Sequence, residues 1–100
     1  MGVSEPLIQS SLLGEAVENA PFAILVSDED GGYIAVNRAA CTLLGYTREE
    51  LLTCSRHDIA AAGGSLLTCK DGSTVRVTCV EGQATVAGMP VTVSVSITAN

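Results

Sequence analysis

One hundred residues allow one small domain, and 47% hydrophobic against 16% charged residues exclude an intrinsically disordered chain. Eleven acidic against five basic residues leave a formal net charge of −6. The cations Arg38, Arg48, Arg56, Lys70 and Arg76 are scattered, which argues against direct nucleic-acid binding, since neutralising phosphates needs clustered positive charge.

Taken in chain order, Leu7, Ile8, Leu12, Leu13, Ala16, Val17 and Ala20 recur at helical spacing and predict a cap helix within residues 1–20. It ends at Asn19-Ala20-Pro21, because proline disfavours helix in the residue before it. The remainder, residues 21–100, forms the core of the domain. Phe22 to Ser27 is a short apolar run and reads as a strand. Asp28-Glu29-Asp30-Gly31-Gly32 supplies a turn, and Tyr33 to Val36 returns as the second strand of a hairpin. Asn37 caps a helix through Leu44, with Gly45 at its left-handed terminus. Thr47-Arg48-Glu49-Glu50 is a capping box opening a second short helix to about Thr53.

Cys54 to Gly64 is the least legible stretch; it holds at most one further helical turn, closed by Gly63-Gly64. Ser65 to Cys69 is a strand running into the Lys70-Asp71-Gly72-Ser73 hairpin turn. Thr74 to Val80 alternates, with Val75, Val77 and Cys79 on one face, and Gly82 marks a bulge. Ala87-Gly88 with Met89-Pro90 forms another turn. Val91, Val93, Val95 and Ile97 then alternate with Thr92, Ser94, Ser96 and Thr98 in the clearest half-buried strand of the chain. The class is α+β: a five-stranded antiparallel sheet with short helices on one face.

Aromatic residues are limited to Phe22, Tyr33 and Tyr46, so the core is aliphatic. No segment reaches the roughly 18 apolar residues of a membrane span. Residues 1–20 carry Glu5, Glu15 and Glu18 rather than a secretory leader's basic start. Cys41, Cys54, Cys69 and Cys79 contain no CxxC pair, and His57 is the sole histidine, so no metal site is expected. The cysteines read as reduced thiols acting as small hydrophobes in a cytoplasmic protein.

The run GEAVENAPFAILVSDEDGGYIAVNRAACTLLGYTREELL, from Gly14 to Leu52, resembles the front half of a PAS domain. Lys70-Asp71-Gly72-Ser73 sits where that family has a KDGS hairpin, and Ser96-Ile97-Thr98 sits at the end of its last strand. One departure stands out. The segment TCSRHDIAAAGGSLLTC is shorter by about a helix than the family's pocket wall, leaving at most a stub at Ile59 to Ala62. A drug-sized pocket needs roughly 300 Å³ or more, which a thinned wall encloses poorly.

The resemblance implies a non-catalytic sensory or interaction module that relays ligand or partner binding to an output domain beyond Asn100, such as a histidine kinase or transcription regulator. A concavity lined by Ile24, Val26, Val36, Ala40, Leu44, Leu51, Ile59, Val77 and Val95 is the candidate ligand pocket. The cap helix, through Leu7, Ile8, Leu12 and Leu13, is the candidate homodimer interface. The leading alternative is a ligand-free dimerisation scaffold.

Haem through His57 is a minor alternative, because Ser55-Arg56-His57-Asp58 resembles the haem-ligating segment of oxygen-sensing relatives. Against it, Ser65 to Cys69 holds no arginine for the propionates. Flavin photochemistry would need the family's Asn-Cys-Arg-Phe-Leu-Gln motif, and none of the four cysteines has that context. The expected cofactor is none or unknown. No partner membrane or nucleic acid is expected. The carboxylates Asp28, Glu29 and Asp30 read as a solvated turn, and no Ser-His-Asp geometry or phosphate loop is legible.

Overall fold

The computed structural model describes residues 6–60 and 65–98, with backbone alone for residues 6–10. Helix α1 (Pro6–Glu18) precedes the hairpin β1 (Ala23–Ser27) and β2 (Tyr33–Val36). Three short helices follow: α2 (Arg38–Leu44), α3 (Arg48–Leu51) and α4 (Arg56–Ile59). Strands β3 (Leu66–Thr68), β4 (Thr74–Val86) and β5 (Met89–Thr98) complete an antiparallel sheet in the order β2-β1-β5-β4-β3.

The residue that joins these parts is Asn37, which is 2% exposed. Its Oδ1 accepts from the Ile24 N–H at 2.9 Å and from the Ala40 N–H at 3.1 Å. Its Nδ2 donates to the Val17 carbonyl at 2.8 Å and to the Phe22 carbonyl at 3.0 Å. A side-chain amide offers two donors and an acceptor oxygen, so this one group is fully used. It caps α2 as expected and also fastens the end of α1 and the start of β1. At the other end of α2, Gly45 takes φ 77° and its N–H bonds Cys41 O, a left-handed terminus that suits a residue without Cβ. The capping box on α3 is present as read: Thr47 accepts from Glu50 N–H while the Glu50 carboxylate accepts from Thr47 N–H. Lys70 then pairs with Glu50 at 2.6 Å, drawing the Lys70–Ser73 turn against α3.

The core lies between α2, α3 and α4 and one face of the sheet. Ala23, Leu25, Ala40, Leu44, Leu51, Ile59, Leu67 and Val77 are buried there. Cys41, Cys54, Cys69 and Cys79 are half-buried free thiols packed against this cluster. Small residues at Ala23 and Ser96, paired across β1 and β5 and both buried, let the helices approach the sheet closely.

The one further helical turn expected within Cys54 to Gly64 is α4; the expected stub at Ile59 to Ala62 and its Gly63-Gly64 stop fall partly on residues 61–64, outside the described residues. Other features differ from the sequence reading. β4 continues past Val80 to Val86, and Gly82 pairs in register with Val93 without a bulge. The last turn is only Ala87-Gly88, with φ of 51° and 80°, the two positive angles that a tight two-residue hairpin demands. Met89 and Pro90 are already strand, paired with Val86 and Thr85. Along α1 the described side chains from Ser11 to Val17 are exposed, and at its C-terminal end Glu18 meets Arg48 at 2.7 Å.

Removing the Asn37 amide takes a hydrogen bond from four backbone groups, the buried Ala40 N–H and the part-buried Ile24 N–H, Phe22 carbonyl and Val17 carbonyl. Asn37→Ala should therefore lower stability by about 3 kcal/mol in urea unfolding. Asn37→Asp, which keeps the acceptor but aims a carboxylate at two carbonyls, should also be clearly destabilised. A near-wild-type midpoint for both would contradict the role assigned here.

Candidate functional site

The register of the sheet decides which side chains can line a site. Leu25 pairs with Ser94, Ser27 with Thr92, and Glu81 and Gln83 with Ser94 and Thr92. Since opposed residues of antiparallel strands share a face, these lie on the helix side of the sheet with Leu25 and Val77. Ile24 pairs with Val95, Val26 with Val93, and Val80 with Val95, so these lie on the opposite face.

The nine residues expected to line one pocket are therefore divided. Ala40, Leu44, Leu51, Ile59 and Val77 come together, but as packed core between 0 and 3% exposed. Ile24, Val26 and Val95 are on the far face, a correction to the strand parity. The alternation in β5 is real, but its valines turn away from the helices, and the small serines and threonines turn toward them. Ile24, Val26 and Val36 instead border a cleft of about 740 Å³ between β1, β2 and α1, with Leu13, Val17 and Val86 on its other walls. Val36 also touches the core.

A second cleft, also about 740 Å³, opens on the helix face of the sheet beyond the end of the core. Its floor is the inner face of the β4–β5 hairpin, with Glu81, Gln83 and Thr92. Its walls are α4, with Arg56, His57 and Ala60, and the turn Asp28–Gly31. Local hydrogen bonds build those walls. Asp28 Oδ1 accepts from the N–H groups of Asp30 and Gly32 at 2.9 and 3.0 Å, closing the turn. Arg56 N–H donates to Gly31 O at 2.8 Å and Tyr33 N–H to Cys54 O at 3.1 Å, which docks the turn on the start of α4. Asp58 accepts from Ser55 N–H at 2.9 Å and so steadies the first turn of that helix.

One ion pair spans the groove: Arg56 on α4 meets Glu81 on β4, and the Ser94 hydroxyl donates to the same Glu81 carboxylate at 3.2 Å. Tyr33 lies buried beside this pair. Burial pushes its phenol up to about 12, with the Arg56 charge opposing. Burial, then the Asp58 and Glu50 carboxylates, push the Cys54 thiol up, the reverse of what a reactive thiolate requires. His57 is exposed on the groove wall. The groove residues Arg56, Glu81, Gln83 and Thr92 were not singled out from sequence. They converge only through the length of β4 and the parity of β5.

At the candidate dimer interface, Leu12 and Leu13 are 56% and 67% exposed on α1. Leu7 and Ile8 belong to the same helix, but their side chains lie outside the described ones.

With this architecture in view, the comparisons with known proteins are direct. The family model of the PAS domain matches residues 11–80, and the chain belongs to that family. It is similar to the PAS domain of an HTR-like protein from Haloarcula marismortui, at 27% identity over 91% of this chain and 92% of that one, TM-score 0.81. It also resembles a PAS domain from a two-component sensor histidine kinase, at 14% identity over 95% and 100% of the two chains, TM-score 0.82. A third likeness is to a domain of a sensory box sensor histidine kinase/response regulator from Geobacter sulfurreducens, at 18% identity over 94% and 98%, TM-score 0.75. No curated protein matches the chain. Domains of this family are sensory signalling modules and generally non-catalytic. Among the described residues no helix is long and apolar enough to cross a membrane.

The buried phenol of Tyr33 makes a pH test available. A phenol raised from 10.0 to about 12 keeps its proton more tightly in the folded state. Its contribution is full below pH 10 and is lost as pH rises through about 12. In a Tyr46→Phe variant the phenolate absorbance should titrate near 12, with roughly 2 kcal/mol of stability lost across that window. A midpoint near the ordinary value would show Tyr33 to be hydrated.

Proposed function

We propose that this chain is the sensory module of a signalling protein, in which a polar small molecule enters the groove between α4 and the β4–β5 hairpin. Binding is relayed along β5 to an output domain beyond Asn100, such as a histidine kinase or a transcription regulator. The observation that carries this reading is the groove itself: about 740 Å³, polar, on the helix face of the sheet, with the last strand forming part of its floor. A ligand that competes for the Arg56–Glu81 pair binds one arrangement of α4 and β4 better than another, and so shifts their populations. The sensor-kinase PAS domains among its structural likenesses support that type of output.

Catalysis is not part of the proposal. The Asp28 and Asp58 carboxylates are engaged in turn and helix-start hydrogen bonds, and Glu81 is held by Arg56 and Ser94. Haem through His57 does not fit the groove either. Asp28, Glu29, Asp30 and Glu81 line it, and their negative charge opposes haem propionates, while Arg56 is engaged by Glu81. No cysteine lines the groove to serve a flavin.

The module works as a homodimer in this reading, with the exposed apolar residues of α1 packed on a second copy. The exposure of Leu12, Leu13 and Val17 supports it. A second reading, a ligand-free dimerisation scaffold, draws support from the closed packing of Leu44, Leu51 and Ile59 where a family pocket would lie.

Extraction of the purified protein followed by small-molecule mass spectrometry separates the two. Sensing predicts a copurifying polar compound that disappears in Thr92→Trp, where an indole fills the groove. Repeated emptiness of the wild-type protein favours the scaffold. For the dimer, Leu12→Glu combined with Leu13→Glu should weaken self-association at least tenfold in sedimentation, while a helix that contacts only its own domain would leave it unchanged.

A further inference from the structure

The far end of the β4–β5 hairpin extends past both neighbouring strands. Among the described residues, β1 pairs with β5 from Thr92 to Ser96, and β3 pairs with β4 from Thr74 to Arg76 with one further backbone bond from Val77 to Ser65. From Glu81 to Pro90 every residue is exposed. Such an arm has two backbone edges, and they are treated differently.

The direction of the backbone groups follows from two independent observations. Val77 N–H donates to Ser65 O at 2.9 Å, toward the β3 side. Backbone groups alternate sides along an antiparallel strand, so Cys79, Glu81, Gln83 and Thr85 present N–H and C=O to that same edge. Pro90 leads to the same assignment. It has no N–H to give and pairs opposite Thr85, so both residues face away from the shared ladder. Pro90 thereby blunts the β5 edge of the arm. On the β4 edge, Thr78 to Val86 contains no proline, no lysine and no bulge, and its one charged residue, Glu81, is neutralised by Arg56 on the inner face.

Gly82, at the middle of this stretch, is the second clue. A glycine inside a strand marks a bulge or a close approach by another backbone. The bulge is absent, because Gly82 stays in register with Val93. Nothing lies within 4 Å of the place a Cβ would occupy, and its φ is not positive, so the domain's own fold does not require a glycine there.

We propose that the β4 edge takes the β4 edge of a second copy of this chain, antiparallel about Gly82, joining two sheets into one. In that register Glu81 exchanges both backbone hydrogen bonds with Gln83 of the second copy, and Cys79 meets its Thr85. Gly82 faces its own equivalent at a pair without hydrogen bonds, where the chains come closest. Val80 lies beside Ala84 of the second copy on the outer face, which suits its 66% exposure in the single chain. The neighbouring register centred on Glu81 would place two carboxylates directly opposite one another, which disfavours it. The self-complementary pattern selects a second copy over an unrelated strand. The interface is separate from the α1 contact proposed above and does not rest on the sensory reading.

The test uses the full chain carrying Leu12→Glu and Leu13→Glu, so that the α1 contact cannot contribute. Gly82→Cys in that background should form an intermolecular disulfide between the two introduced thiols under mild oxidation, identified by peptide mass spectrometry. Ala84→Cys, placed opposite Val80, should not link to itself. Gln83→Pro removes one outward N–H but no bond to β5, and should weaken residual self-association at least tenfold in sedimentation with an unchanged circular dichroism spectrum. If Gln83→Pro fails to fold, the cross-link decides alone. A chain that stays monomeric at high micromolar concentration, or a Gly82→Cys variant whose introduced thiols do not link to each other, overturns the proposal.

Discussion

Everything in this domain is hung on one buried carboxamide. A chain of this size has little core to spare, and no side chain from Ser11 to Val17 of its first helix joins that core. Asn37 supplies the order that packing does not. Four hydrogen bonds from one side chain fix the exit of α1, the entry to β1 and the first turn of α2 in a single geometry. A buried amide with every group satisfied is specific in a way that hydrophobic contact is not, because rotation or displacement leaves several polar groups unpaired at once.

The same economy appears around the sheet. Short helices of four residues cannot persist alone and are held by local devices: the Thr47–Glu50 box, the Ser55–Asp58 bond and the Lys70–Glu50 pair. Such exposed pairs contribute little energy individually. Their effect is positional; the Arg56–Glu81 pair and the bond from Arg56 N–H to Gly31 O then set α4 and the Asp28 turn against β4 and define the mouth of the groove. Small residues on the inner face of β1 and β5 admit the helices. The larger aliphatic residues of those strands are left on the outside, where α1 stands off and a cleft remains.

Much of the fold was legible because it is written in local chemistry. Caps at Asn37 and Thr47, the left-handed Gly45 and the Asp-Gly turn each act over three or four residues. The part that misled was β5. Alternation reveals that two faces differ, but not which face meets the helices; here the small serines and threonines of β5 face them and its valines face away. An apolar-inward rule therefore inverted Val95, and Ile24 and Val26 with it. The single turn of α4 was expected but not placed, because four residues carry no periodicity. The groove was illegible for a different reason: Asp28, Arg56, Glu81 and Thr92 are distant in sequence and meet only because β4 runs unbroken through Gly82. The cores of α2, α3 and α4 were found, but as filling and not as the lining of a cavity.

The placement of β5 has a mechanical meaning. One end of this strand forms the groove floor and the arm, and its other end is where the described chain leaves the domain, at Thr98. Ten residues of strand make a rod of roughly 33 Å with no joint along it. From Thr92 to Ser96 it is laddered on both sides, against β1 and against β4, so sliding of that stretch would load two rows of hydrogen bonds together in shear.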